Sequence, residues 1–231
     1  MKSLGFITLI IWMILFGSSC AKENLEIKGK VLDDFTKVAI PNREIIVQAL
    51  VKSENKVTPV FNGKFSTDSS GFFVYPLNKV KTVYLYNFCV VGDSTYAYSN
   101  IEVSLTDLSR NGKFLSFNVK KLTDLTIIID KKAVATVNDA LYVSWESDGI
   151  NGKFLYPYTI KNYGMMNNGI SSSDLKLKWT GGEIKSAIKT KVFADKKTII
   201  RWELYRNDKR KLFTDTVFCR RDAINYVNYK Y

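Results

Sequence analysis

The chain has 231 residues, 46% of them hydrophobic and 13% aromatic, with only four prolines, so it can bury a core and is not a disordered stalk. Lys and Arg number 34 against 22 Asp and Glu, a formal charge of +12, and there is no histidine. The missing imidazole excludes Ser-His-Asp and Cys-His nucleophilic sites and His-containing zinc centres; a carboxylate-only hydrolase of the glycosidase kind stays open, without any paired-carboxylate signature, P-loop, GxGxxG or calcium-loop pattern to support it.

At the amino end, Lys2 precedes an apolar run from Leu4 to Phe16 that closes in Gly17-Ser18-Ser19-Cys20. The run is shorter than the ~20 residues a spanning helix needs, and small residues follow it, the layout of a cleaved leader. Residues 15 to 20, Leu-Phe-Gly-Ser-Ser-Cys, resemble the signal of bacterial lipoproteins, with Gly17 standing where that family prefers an aliphatic residue. The resemblance implies a signal peptide over 1–19, cleavage before Cys20, and a diacylglycerol on its sulfur, the thiolate being the nucleophile such chemistry requires. An ordinary secretory leader or an uncleaved anchor are the alternatives. Residues 20–24 would be a lipidated tether. Its Ala21-Lys22-Glu23-Asn24 resembles the lysine-plus-acidic tag that carries some Bacteroidetes lipoproteins to the cell surface, and also reads as a solvated linker. Several acyl chains hold a protein stably on a bilayer, so the expectation is an outer-membrane, lipid-anchored protein exposed at the surface.

From Leu25 onward, alternating apolar residues broken by turn residues predict antiparallel strands at Leu25–Leu32, Arg43–Val51, Gly71–Leu77, Lys81–Val91, Tyr96–Leu105 and Lys113–Leu122. Turns are expected at Asp33-Asp34, Pro41-Asn42, Asn62-Gly63, Asp68-Ser69-Ser70-Gly71 and Asn111-Gly112. Two segments, Ile27-Lys28-Gly29-Lys30-Val31-Leu32-Asp33 with Ala39-Ile40-Pro41 and Glu44-Ile45-Ile46-Val47, and then Thr67-Asp68-Ser69-Ser70-Gly71-Phe72-Phe73, resemble the carboxypeptidase regulatory-like, transthyretin-like β-sandwich. In that family the Asp and Gly shape a hairpin and the aromatic after the Gly enters the core; Lys37 stands where a glycine is frequent. The resemblance implies a non-catalytic domain over 25–130 and brings no site residues.

The second half, 131–231, reads as another β-sandwich of the immunoglobulin or fibronectin kind. Strands are expected at Leu141–Glu146, Phe154–Ile160, Leu175–Trp179 and Lys197–Arg206, followed by a terminal antiparallel meander of Lys211–Arg220 and Ala223–Tyr231. In Lys197–Arg206, Ile200, Trp202 and Leu204 fall on one face, and Trp145, Trp179 and Trp202 are expected in the core. The fold class is therefore all-β, two consecutive sandwiches after a cleaved signal. Cys89 and Cys219 sit in different halves and are read as separately buried thiols, a bridge being the alternative.

Charge is unevenly shared, with 13 basic and 11 acidic residues over 25–130 but 19 and 10 over 131–231. Lys209, Arg210, Lys211, Arg220 and Arg221 lie beside the last turns, and Tyr156, Tyr158 and Tyr163 punctuate an irregular, glycine-rich segment between Asp148 and Asp174. These eight residues are the candidate ligand contacts, for an anionic or neutral polysaccharide; a solvated basic surface and ordinary strand tyrosines are the alternative readings. No metal site, cofactor or catalytic residue is expected, and no nucleic-acid module accompanies the basic charge. Two functions follow: a non-catalytic envelope protein that recognises polysaccharide through its second half, or a structural or assembly subunit that binds another outer-membrane or surface protein through exposed strand edges.

Overall fold

The structure, a computed structural model, describes residues 25–54, 56–77, 83–110, 114–131, 139–163, 170–172, 175–180, 184–207 and 209–230. Cys20 with its leader and tether, the expected Asn111-Gly112 turn and the 164–169 segment lie outside the described residues.

The alternation in Leu25–Asp33 makes strand β1, with Ile27, Gly29, Val31 and Asp33 inward. The first half continues as β2 (Glu44–Ser53), β3 (Lys56–Ser66), β4 (Phe72–Leu77), β5 (Val83–Val90), β6 (Ser99–Val103), a short helix α1 (Leu105–Arg110) and β7 (Phe114–Val119). These form two sheets, β4-β1-β7 and β3-β2-β5-β6, with β1 and β7 parallel and the other pairs antiparallel. Between them lies a core that includes Ile27, Val31, Ile45, Val47, Tyr86, Phe88 and Phe117.

Two backbone positions explain the motif noted above. At Gly71 φ is +76° and a Cβ would stand 2.8 Å from the Ala39 Cβ, so only glycine turns the chain here. The Asp68 carboxylate accepts from the Ser70 and Phe72 amides at 2.8 and 2.9 Å and closes the same turn. Of the two aromatics that follow, Phe73 enters the core and Phe72 points to solvent. Lys37 adopts φ +58°, the left-handed conformation that glycine takes most readily.

The second half contains β8 (Leu122–Lys131), β9 (Ala140–Ser147), β10 (Ile150–Asn151), a helical turn α2 (Gly152–Leu155), β11 (Thr159–Asn162), β12 (Ile170–Ser172), β13 (Leu177–Thr180), β14 (Ile184–Phe193), β15 (Lys196–Arg206), β16 (Lys209–Cys219) and β17 (Asn225–Lys230). Its sheets are β11-β14-β8-β17 and β12-β13-β9-β15-β16, with β10 paired to β9. Trp145, Trp179 and Trp202 are fully buried between them. At 150–250 Å² per aromatic side chain and ~25 cal/mol per Å², each contributes on the order of 4–6 kcal/mol of gross transfer free energy.

The two sandwiches share one topology. In the first, β1 lies between antiparallel β4 and parallel β7, facing a sheet β3-β2-β5-β6; in the second, β8 lies between antiparallel β14 and parallel β17, facing β13-β9-β15-β16. β11 and β12 are additions at the sheet edges.

Four expectations are corrected. β8 pairs β14 and β17, so the change from one sandwich to the next falls at Lys120-Lys121 rather than at Asp130. β17 does not extend a meander from β16 but crosses to the other sheet and runs parallel to β8. Asn62-Gly63 is no turn: Val47 faces Gly63 and Gln48 faces Phe61, which leaves Asn62 as a bulge inside β3. Phe154–Ile160 is not one strand, since α2 occupies its start and β11 begins only at Thr159.

Candidate functional site

The densest polar chemistry between distant parts of the chain lies where the sandwiches meet. β7 ends at Val119 and β8 begins at Leu122, and the two residues between are held from both sides. The Ala97 amide donates to the Lys120 carbonyl at 2.9 Å, the Leu122 amide to the Thr95 carbonyl at 2.7 Å, and the Ala194 amide to the Lys121 carbonyl at 2.8 Å. Ala97, Leu122 and Phe193 form a small apolar cluster at this place, with Leu155 and Tyr156 packed on it.

Around that cluster stand charges from both halves. Lys120 Nζ donates to Asp148 at 2.5 Å and lies 4.7 Å from the centroid of the Phe193 ring. Lys121 Nζ donates to both oxygens of Asp222 at 2.9 Å. Arg221 reaches farthest. Its Nε donates to Asp195 at 2.5 Å, its NH1 and NH2 donate to the two oxygens of Asp33 at 3.3 Å, and its guanidinium lies 5.2 Å over the Phe35 ring. Burial by itself would raise the Asp33 pKa, but amide donors from Thr36 and Phe35 and the Arg221 guanidinium outweigh it and hold the carboxyl below the ordinary range. At Asp148 the hydrogen bond from Lys120 dominates and likewise lowers the pKa.

Beside this contact is a shallow cleft of about 360 Å³, lined among others by Thr95, Lys121, Asp124, Lys191, Asp222 and Ile224. Both its lysines are paired, Lys121 with Asp222 at 2.9 Å and Lys191 with Asp124 at 3.1 Å. The arrangement joins two bodies; its acids and bases are spent on one another.

The candidate ligand residues are distributed as follows. Lys209, Arg210 and Lys211 open β16, while Arg220 and Arg221 follow its end. Eight residues, 212–219, lie between the two groups, and nine steps at ~3.3 Å put Lys211 and Arg220 about 30 Å apart along the strand, so the groups do not converge. Arg221 is the interdomain clamp. Arg210 pairs with Glu203, which also accepts from Lys176 at 2.5 Å and from the Tyr205 hydroxyl at 2.8 Å. Burial would raise the Glu203 pKa, yet these three donors hold it low. Lys209, Lys211 and Arg220 are exposed. Tyr156 packs into the junction cluster, and Tyr158 packs edge-on against Trp145 at 5.6 Å. Tyr163 is half exposed with Lys161 5.0 Å over its ring. Cys89 and Cys219 are free, buried thiols in different sandwiches. Sequence reasoning missed Asp33, Asp195, Lys120, Asp148 and Asp222 as a group; the only signal available was their place in turns at strand ends.

No protein-family model matches the sequence, and no curated protein matches it. Solved structures similar to it include the major pilin SpaD of Corynebacterium diphtheriae, at 9% identity and a TM-score of 0.33, covering 84% of this chain and 64% of that one. The shaft pilin SpaA of Lactobacillus rhamnosus GG is 8% identical with a TM-score of 0.31, covering 89% of this chain and 96% of that one. A streptococcal ancillary pilin is 9% identical, TM-score 0.31, covering 90% and 63%. The chain thus spans less than two thirds of SpaD and of the ancillary pilin. Scores of this size fall short of a shared topology.

Proposed function

We propose that this is a non-catalytic, lipid-anchored structural or assembly subunit of the bacterial outer membrane, whose two sandwiches form one stiff body that carries a protein partner. The supporting observation is the junction: two connecting residues, a shared apolar cluster and the Arg221 bridge from Asp195 to Asp33 resist bending between the halves. A recognition domain on a flexible stalk would need none of these. The partner surface in this reading is β16, an eleven-residue edge strand with Leu212 and Phe218 exposed; Lys209, Arg210 and Lys211 at its start keep it from pairing indiscriminately. Polysaccharide recognition is the weaker reading, because Arg221 and Arg210 are engaged by carboxylates and the five cations lie at two ends of one strand.

Affinity purification of the full-length protein from a detergent extract tests this. A stoichiometric protein companion, lost when Leu212 and Phe218 are changed to Asp, is the expected result. A lone monomer retained on a polysaccharide column would replace the assembly reading with glycan recognition.

A further inference from the structure

The end of the first sandwich opposite the junction carries exposed apolar side chains that none of the described residues covers. On the outer face of the β3-β2-β5-β6 sheet, Phe61 faces Gln48, Pro59 faces Leu50 and Val57 faces Lys52 across the ladder, and Leu50 pairs with Leu85 on the other side. Val57, Phe61 and Tyr84 are 47%, 68% and 57% exposed. Lys52 Nζ stands 5.7 Å from the centroid of the Tyr84 ring, and Lys56 opens β3 at the same hairpin. Aromatic and aliphatic side chains bordered by long lysines suit a boundary between hydrocarbon and headgroups, because a lysine stem covers apolar surface while its ammonium stays among phosphates.

What lies against this end follows from where the chain enters. Leu25 pairs with Leu77, the last residue of β4, and so sits at the end of the sandwich away from Asp33 and the junction. Five residue-to-residue steps separate it from Cys20. Fully extended at ~3.3–3.6 Å each they span at most about 18 Å, so a lipid on that sulfur holds this end, and not the second sandwich, at the membrane. A protein strand is the poorer occupant of β3, since Pro59 interrupts its row of donors.

Resting on the reading of Cys20 as the lipid-bearing residue, we propose that the β2–β3 hairpin end of the first sandwich docks on the bilayer surface, with Val57, Pro59, Phe61 and Tyr84 at the headgroup boundary and Lys52 and Lys56 on anionic phosphates. The docking fixes the orientation of the protein, so that the far end of β15 and β16 points away from the membrane.

The test uses the full-length lipidated protein, with a nitroxide attached through Val57→Cys or, as a control in the second sandwich, Leu212→Cys, reconstituted into phosphatidylethanolamine and phosphatidylglycerol vesicles. Flotation reports the anchor and electron paramagnetic resonance reports the contact. Vesicles that float with the protein, together with an oxygen-to-nickel accessibility ratio severalfold higher at position 57 than at 212, are expected. Flotation with equal ratios at the two positions overturns the docking while leaving the anchor intact. Failure to float removes the anchor and the docking with it. Shielding of position 57 in detergent, at the same protein concentration and without vesicles, makes a second copy the occupant and overturns the proposal.

Discussion

Replacing Arg221 by Ala should loosen the two halves from one another. The change removes the 2.5 Å contact to Asp195, the two 3.3 Å contacts to Asp33 and the guanidinium over Phe35. Asp33 is only 4% exposed, but it keeps the amide donors of Phe35 and Thr36, and Arg221 itself is 24% exposed. The cost therefore falls between the about 0–1 kcal/mol of a surface pair and the about 3–5 kcal/mol of breaking a buried one, near 2 kcal/mol. For a body of this size that is about 4–8 °C in Tm. Urea unfolding and calorimetry of Arg221→Ala, Asp33→Asn and the double variant measure it, with a coupling energy of about 1 kcal/mol expected and a calorimetric transition that broadens as the halves begin to melt separately. Strict additivity, within about 0.3 kcal/mol, together with an unchanged transition would refute the claim that this arginine couples the domains.

Gly71→Ala should cost about 2–4 kcal/mol, from the left-handed backbone and the 2.8 Å approach to Ala39, whereas Lys37→Gly should change stability by less than about 1 kcal/mol; equal effects in urea unfolding would contradict the turn geometry. Asp139→Ala strips a fully buried carboxylate from Lys131, at 3.5 Å and also fully buried, and from Arg206 at 3.0 Å, and a loss of about 3–5 kcal/mol is expected; a loss under about 1 kcal/mol would show that the trio is dispensable. Burial raises the Cys219 thiol pKa, so a thiol reagent should leave Cys89 and Cys219 untouched in the native protein and modify both in denaturant; rapid native labelling of either would contradict their burial. Asp33, Asp148 and Glu203 all have folded pKa values below the ordinary range of about 4, so below that range the unfolded chain binds more protons than the native one. Their contribution is complete at neutral pH and declines as acid titrates them in the fold, and a urea midpoint that rose between about pH 4 and 2 would be the opposite result.

The strands that alternate between a core and open solvent were legible in the chain. β4 places large apolar residues at every second position and β1 and β15 do so over most of their length, with Trp202 among those of β15. β3 was hidden because it is an edge strand whose first six residues are all exposed, so it has no buried period, and its bulge at Asn62 has the composition of a turn. β14 was hidden for the opposite reason: Ser186, Ala187 and Ile188 are buried in succession, and the lysines scattered through it mask the run. The crossing of β17 has no local signal at all, since alternation is the same in parallel and antiparallel neighbours. Arg221 stood out by its charge, but its partners lie 26 and 188 residues away, a distance over which side-chain pattern says nothing. Duplication of the topology is likewise invisible, because the two cores are filled by different residues: Phe and Tyr in the first, Trp and Ile in the second.

The parallel pairing of first and last strands in each sandwich has a mechanical consequence. β1 enters at one end and β7 leaves at the other, with six residue pairs in register between them, and β8 and β17 repeat this with six more. Tension applied between the two ends of either sandwich pulls along these strands rather than across them. The bonds of each ladder then share the load and must rupture together, instead of opening one after another like a zip, which is the loading geometry that lets a small domain withstand a sustained pull.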